Sequence, residues 1–202
     1  MSLPATLTGV VVAHLPLPIA KAMKPLIHKD KPDIAQVLCE AGPDLGRDRT
    51  ARYVGTNGNV MLIVDTDLPA PTESQVFSGM KYRNADTGKW NPTDVDLVVS
   101  SKGHYRPEYT RAQDAPEFPD YKPCIPTGEG EAVERIGLDV AYVDLALKIH
   151  KALGLGKPTT WSVTFHGLTA PIVWEPTQCD GGVLNQAGVT RVIFIVMPVR
   201  LD

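Results

Sequence analysis

The chain has 202 residues, 43% of them hydrophobic and 21% charged, and carries a net charge of −3. That length suits one generous domain or two small ones, and the charge argues against a nucleic-acid partner held by overall basicity. Its longest apolar runs, such as Val192 to Val196, are strand-sized, far short of the roughly 20 residues that a membrane helix needs.

The opening Met1-Ser2-Leu3-Pro4 has neither the basic region nor the cleavage site of a signal peptide, so a cytoplasmic location is expected. Cys39, Cys124 and Cys179 are widely spaced and form no Cys-x-x-Cys pair. Buried free thiols are expected, with no disulfide framework and no zinc site.

In chain order, Leu7 to Val12 reads as a strand. Pro16 and Pro18 suit the first turn of a following helix, whose first N–H groups have no intrahelical partner. Ile19, Met23, Leu26 and Ile27 recur at helical spacing, and Pro25 is expected to kink or shorten the helix. Three strands are predicted next, at Ile34 to Glu40, Arg52 to Thr56 and Asn59 to Asp65, the last two joined at the hairpin signal Asn57-Gly58.

The same order returns near the other end. Val133 to Leu138 alternates as a strand would, and Tyr142, Leu145, Ala146, Ile149 and Leu153 form the apolar stripe of a helix. Gly154 and Gly156 stop that helix, with Pro158 just beyond. Trp161 to His166, Pro171 to Trp174 and Val189 to Met197 are predicted strands. The repeat is one of architecture, βαβββ twice, and it predicts a single α+β domain over 1–202 whose two helices lie side by side on a curved antiparallel sheet. The half-repeats cover about 5–66 and 118–202. Between them, about 67–117 is rich in Pro, Gly, Asp and Thr and reads as an insertion with one strand at Val95 to Ser100.

Charge is unevenly distributed. The two helical windows, 14–31 and 139–157, hold Lys21, Lys24, Lys29, Lys31, Lys148, Lys151 and Lys157 against Asp30, Asp139 and Asp144. These lysines are either solvated helix faces or contacts to phosphate. In the insertion, Tyr82, Trp90, Tyr105 and Tyr109 alternate with Lys81, Arg83, Lys89, Arg106 and Arg111, which suits either stacking on single-stranded nucleic acid or a loop folded onto its own domain. The five histidines have no metal-site spacing, and no P-loop or nucleophile elbow occurs. Asp65, Asp67 and Asp144 have no base or nucleophile placed beside them, so they read as turn residues and surface charges. A non-enzyme without metal or cofactor is expected.

Four segments carry a family resemblance. Thr56-Asn57-Gly58-Asn59-Val60-Met61 is similar to the Thr-Asp-Gly-His-x-Leu hairpin of bacterial DNA sliding clamps, the β subunits of the replicative polymerase. Phe118-Pro119-Asp120-Tyr121-Lys122-Pro123-Cys124-Ile125-Pro126 resembles their Phe-Pro-Asp-Tyr linker, and Ile136 to Val143 resembles the entry to their second helix. Met197-Pro198-Val199-Arg200-Leu201 resembles their C-terminal Met-Pro-x-Arg-Leu, here followed by Asp202. Asn57 and Asn59 stand where the family has Asp and His, and the chain has one domain's worth of repeats where a clamp subunit has three.

The resemblance implies the clamp fold, a ring of domains around duplex DNA with helices lining the pore, and a hydrophobic pocket that captures linear peptides of replication and repair proteins. Carried over by position, the pocket comprises Thr56, Gly58, Asn59, Val60, Met61, Pro119, Pro123, Cys124, Val196, Met197, Pro198, Val199 and Arg200. The DNA-facing set comprises Lys21, Lys24, Lys29, Lys148, Lys151 and Lys157, binding duplex without sequence preference. Six copies would be needed for such a ring, and Ile34 to Glu40 and Trp161 to His166, free of lysine and proline, are the expected sheet edges for a homo-oligomer. The alternative is a clamp-fold adaptor that keeps the pocket and does not encircle DNA.

Overall fold

The computed structural model describes residues 15–27, 34, 36–42, 50–78, 82–84, 90–91, 105–107, 117–155, 160–177 and 188–198. The predicted strands Leu7 to Val12 and Val95 to Ser100, together with Cys179, lie outside them. A helix α1 (Leu17–Met23) is followed by strands β1 (Gln36–Ala41), β2 (Thr50–Thr56), β3 (Val60–Pro69) and β4 (Gln75–Ser78). Three short strands, β5 (Tyr82–Asn84), β6 (Trp90–Asn91) and β7 (Tyr105–Pro107), come next. Helix α2 (Val140–Leu153) then precedes β8 (Trp161–Thr164), β9 (Ile172–Pro176) and β10 (Val189–Val196).

Among the described residues the main sheet is antiparallel, with seven strands in the order β4-β1-β2-β3-β10-β9-β8. The third strands of the two halves pair at its centre, with Ile63 opposite Ile193 and Val60 opposite Val196. Strands β1-β2-β3 thus mirror β8-β9-β10, and α1 packs on α2 over one face. The α+β architecture read from the repeat is present. A separate three-stranded sheet, β6-β5-β7, sets Arg83 opposite both Trp90 and Arg106; Lys81, Lys89, Tyr109 and Arg111 lie outside the described residues.

Helix α1 ends where Pro25 dictates. Without an N–H, Pro25 cannot continue the α-helical ladder, and the chain tightens into a 3₁₀ turn at Lys24–Leu26. Ile19, Ala20, Met23 and Leu26 are buried, and Met23 approaches β2 so closely that a Cβ on Gly55 would lie 2.7 Å from its sulfur. Helix α2 starts at Asp139, whose side chain accepts the Ala141 N–H at 2.9 Å, and ends at Gly154, whose N–H returns to the His150 and Lys151 carbonyls.

Sequence expectations need correction at three places. The stretch 133–138 forms no strand, only an isolated bridge at Gly137. Strand β1 is not an edge: β4, from the stretch read as an insertion, pairs along it from Gln36 to Cys39. Strand β8 is, as expected, terminal on the other side among the described residues. Finally, only Cys39 is a buried thiol among the described residues, whereas Cys124 is exposed on the linker.

Strand β3 is apolar at successive positions because both faces of the sheet are covered. Val60, Leu62 and Val64 face the helices with Val192, Phe194 and Val196. Met61 and Ile63 face the other way with Leu38, Val54, Ile193 and Ile195, beneath Phe118 and Tyr121 of the linker. On that linker-covered face, alternation also places Glu40, Arg52, Asp65, Arg191 and Glu175 on five consecutive strands. Glu40 is opposite Arg52, Arg52 opposite Asp65, and Asp65 opposite Arg191. Arg52 grips Asp65 with two bonds of 2.6 and 2.9 Å, and Arg191 reaches Glu175 at 2.7 Å. The signs alternate across the sheet, so a one-residue slip of any strand would swing a charge to the helix side.

Because the Arg52 and Asp65 side chains are 14% and 4% exposed, Arg52→Ala should cost about 3–5 kcal/mol by stranding a buried carboxylate. Replacing both with well-packed apolar residues should be near neutral; chemical denaturation of the three proteins checks this. Burial of Cys39 pushes its thiol from 9.0 up to about 12. The folded state therefore keeps the proton that the unfolded chain loses first, and stability present below about pH 9 should decline as pH rises toward about 12. Cys39→Ala should make that alkaline decline shallower in urea titrations.

Candidate functional site

The hairpin between β2 and β3 is built by its own side chains. Asn57 and Val60 pair through the Asn57 N–H at 3.2 Å, so the central turn residues are Gly58 and Asn59, one position beyond the Asn-Gly expected at the tip. Gly58 has φ +93°, a left-handed backbone that glycine adopts without steric cost. The Asn57 carboxamide oxygen accepts the N–H groups of Asn59 and Val60, each at 3.0 Å. Thr56 donates its hydroxyl to the Val60 carbonyl at 2.8 Å and accepts from the Gly58 N–H at 3.0 Å. The short side chain of Asn57 thus caps the turn, as an acceptor oxygen on a short stem allows.

The end of β10 meets this hairpin directly. Beyond Val196 the Met197 N–H still reaches the Asn59 carbonyl at 3.0 Å, and Pro198 then ends the ladder because it has no N–H to give. Met197 is 41% exposed at that rim, beside exposed Gly58 and Asn59. Val199 and Arg200 lie outside the described residues.

The linker crosses the sheet's outer face as a strap. Phe118 and Tyr121 are buried, their rings edge-on at 6.4 Å, while Pro119 and Asp120 between them are exposed. Tyr121 donates its hydroxyl to Glu40 Oε1, and the Arg52 guanidinium lies within reach of that hydroxyl. Burial first, and the bond to Glu40 second, push the Tyr121 hydroxyl well above its usual range, so it remains a donor through neutral and mildly alkaline pH. A 3₁₀ turn at Lys122–Cys124 follows, presenting Pro123 and Cys124 to solvent.

The described positions among those carried over for the pocket thus divide into distinct environments. Thr56, Gly58, Asn59, Met197 and Pro198 converge at the hairpin–tail rim, and Met61 lies on the outer face beneath the linker. Pro119, Pro123 and Cys124 form the exposed side of the strap. Val60 and Val196 are 2% and 0% exposed in the core under the helices, where a peptide could meet only their backbone. Sequence reasoning singled out none of Glu40, Arg52 or Tyr121 as a latch. The alternating charges were visible in the strands, but their alignment required the register.

On the opposite face, Lys21, Lys24, Lys148 and Lys151 are all exposed on the paired helices. Lys29 and Lys157 lie outside the described residues. Lys148 pairs with Asp144 one turn earlier at 2.6 Å, both side chains more than half exposed. The same helix surface carries an apolar element absent from the sequence reading, with Val140, Val143 and Leu147 at 80%, 40% and 57% exposure. The buried stripe is narrower than expected, comprising Ala146, Ile149 and Leu153 with Tyr142 and Leu145 half-buried.

No family model matches the chain, and no curated protein matches it in sequence. Among solved structures, the β clamp of Helicobacter pylori, determined in complex with diflunisal, superposes with a TM-score of 0.53 at 14% identity. The match covers 92% of this chain and 64% of that one, so the chain spans less than two thirds of the clamp it resembles. The helix pair on one face, the central pairing of two like halves and this superposition agree: the chain is a protein of the sliding-clamp fold.

Proposed function

We propose that this protein is a non-enzymatic, clamp-like tethering factor that associates with duplex DNA without sequence preference and captures linear peptides of replication or repair proteins. The observation that carries the reading is the junction of hairpin, tail and strap. The Met197 N–H bond to Asn59 joins tail to hairpin, and Phe118 and Tyr121 cover the Met61–Ile195 surface next to it. An adaptable Met beside Pro walls, with backbone groups at the rim, is chemistry suited to holding a short apolar peptide. Tethering of this kind works through effective concentration and needs no bond-making residue.

The peptide reading is tested with a fluorescein-labelled peptide from the clamp-binding segment of a bacterial replicative polymerase. Deleting Met197 to Asp202 should abolish its capture, while the thermal transition moves only a few degrees, as loss of the Met197–Asn59 hydrogen bond implies. Undiminished peptide binding by the truncated protein would overturn the pocket.

The DNA reading rests on four exposed lysines over adjacent helices. A quadruple Lys→Ala variant at 21, 24, 148 and 151 should bind all duplexes equally more weakly, with a salt slope shallower by up to about 0.9 per lost phosphate contact. A specific observation favours the adaptor as a second reading: Val140, Val143 and Leu147 lie exposed on α2, and Asp144 pairs with Lys148. Apolar surface and a compensated lysine suit a protein partner better than phosphate. Wild-type protein with no salt-dependent affinity for duplex would select that reading. In either case a homo-oligomer would use β4 and β8, the two ends of the sheet among the described residues.

A further inference from the structure

We infer that Tyr121, through its hydroxyl bond to Glu40, is a positioning residue that sets the linker wall of the peptide site; the inference rests on the peptide-capture reading above. Three observations carry it. Along the strap, the buried residues are Phe118 and Tyr121, and the residues offered to solvent, Pro119, Pro123 and Cys124, lie between or just after them. The place of these two rings therefore decides where the exposed ones stand.

Phe118 is an apolar anchor, and contact with Leu38, Val54 and the isoleucines fixes its depth without fixing a direction. Tyr121 adds direction. Its hydroxyl donates to Glu40 on β1, beside Arg52 on β2, which is itself held by two bonds to Asp65 on β3. Three neighbouring strands thus orient one phenol, and a latch built from charge-assisted bonds has less angular freedom than packing alone.

The backbone of the same residue starts the turn that carries the wall. The Tyr121 carbonyl accepts the Cys124 N–H at 2.9 Å, and the Ile125 N–H follows onto the Lys122 carbonyl at 3.1 Å. Asp120 accepts the Lys122 N–H at 3.2 Å, closing the turn from the other side. Pro123 and Cys124 are therefore carried by a turn whose first acceptor is the latched residue. With the hydroxyl removed, the ring can still be buried, but the turn loses its fixed bearing on the sheet and the wall its distance from the Met197 rim.

The test compares Tyr121→Phe, Glu40→Leu and Glu40→Gln with the wild type, at a temperature where circular dichroism shows each fully folded. Two readouts are taken: affinity for the labelled polymerase peptide, and hydrogen exchange at the Cys124 and Ile125 amides. Tyr121→Phe and Glu40→Leu should each weaken the peptide about tenfold and speed exchange at both amides. Glu40→Gln keeps an acceptor oxygen and should restore both. Faster exchange with unchanged peptide affinity would overturn the positioning role while leaving the peptide reading intact. Unchanged exchange in Tyr121→Phe would overturn the latch itself. If the wild type captures no peptide, the peptide reading fails and the role for its wall fails with it, whereas the exchange data still decide whether the latch holds the turn.

Discussion

The antiparallel pairing of β3 with β10 is the constraint on which the rest of the molecule depends. It runs from Val60 opposite Val196 to Thr66 opposite Val189 and joins the two halves into one sheet. Each half brings a helix to the same face, so this pairing sets α1 against α2. It also delivers the end of β10 to the hairpin that opens β3, so residues about 140 positions apart in sequence share a rim. Side-chain periodicity makes the register stringent: Met61, Ile63, Ile193 and Ile195 must face the linker while Leu62, Val64, Phe194 and Val196 face the helices.

The outer face shows how polar and apolar surfaces are divided. Toward the hairpin it is apolar and takes the rings of Phe118 and Tyr121. Away from the hairpin it carries the alternating row Glu40, Arg52, Asp65, Arg191 and Glu175. Tyr121 sits at the boundary, its ring on the apolar side and its hydroxyl on Glu40, which suits a side chain with an apolar body and a polar tip. The buried Arg52–Asp65 pair contributes less net stability than its geometry suggests, because desolvation offsets much of the attraction. Its consequence is alignment, since each charge has a satisfying neighbour only in this register.

The helix face combines two chemistries. Exposed lysines line it, and α2 also presents Val140, Val143 and Leu147 to solvent. An ion pair as exposed as Lys148–Asp144 is worth only a few tenths of a kcal/mol, so its significance is electrostatic: it lowers the positive potential where the apolar stripe lies. In α1 and the turn after it, Ile19, Ala20, Met23 and Leu26 are drawn into the core and Lys21 and Lys24 are left outside.

Local chemistry was legible in the sequence wherever the cause was local. Pro25 shortening α1, Asp139 and Gly154 bounding α2, the hairpin near Gly58 and the apolar runs of β3 and β10 follow from dihedral limits, capping and periodicity that a short window contains. The twofold order of one helix followed by three strands, and with it the α+β class, was legible for the same reason. Tertiary structure alone decided the rest. That β4 would cover β1 depended on pairing between segments separated in sequence by β2 and β3, and the alternation of 133–138 was not enough to make it a strand. Val60 and Val196 look like rim residues next to Gly58 and Met197, yet alternation turns their side chains into the core, and only the register fixes the sense of that alternation. Glu40, Arg52 and Tyr121 are far apart in sequence and meet only because the strap folds back over aligned strands. A hydrogen-bonded latch of that kind depends on relative positions set by the whole sheet, which no single segment of the chain encodes.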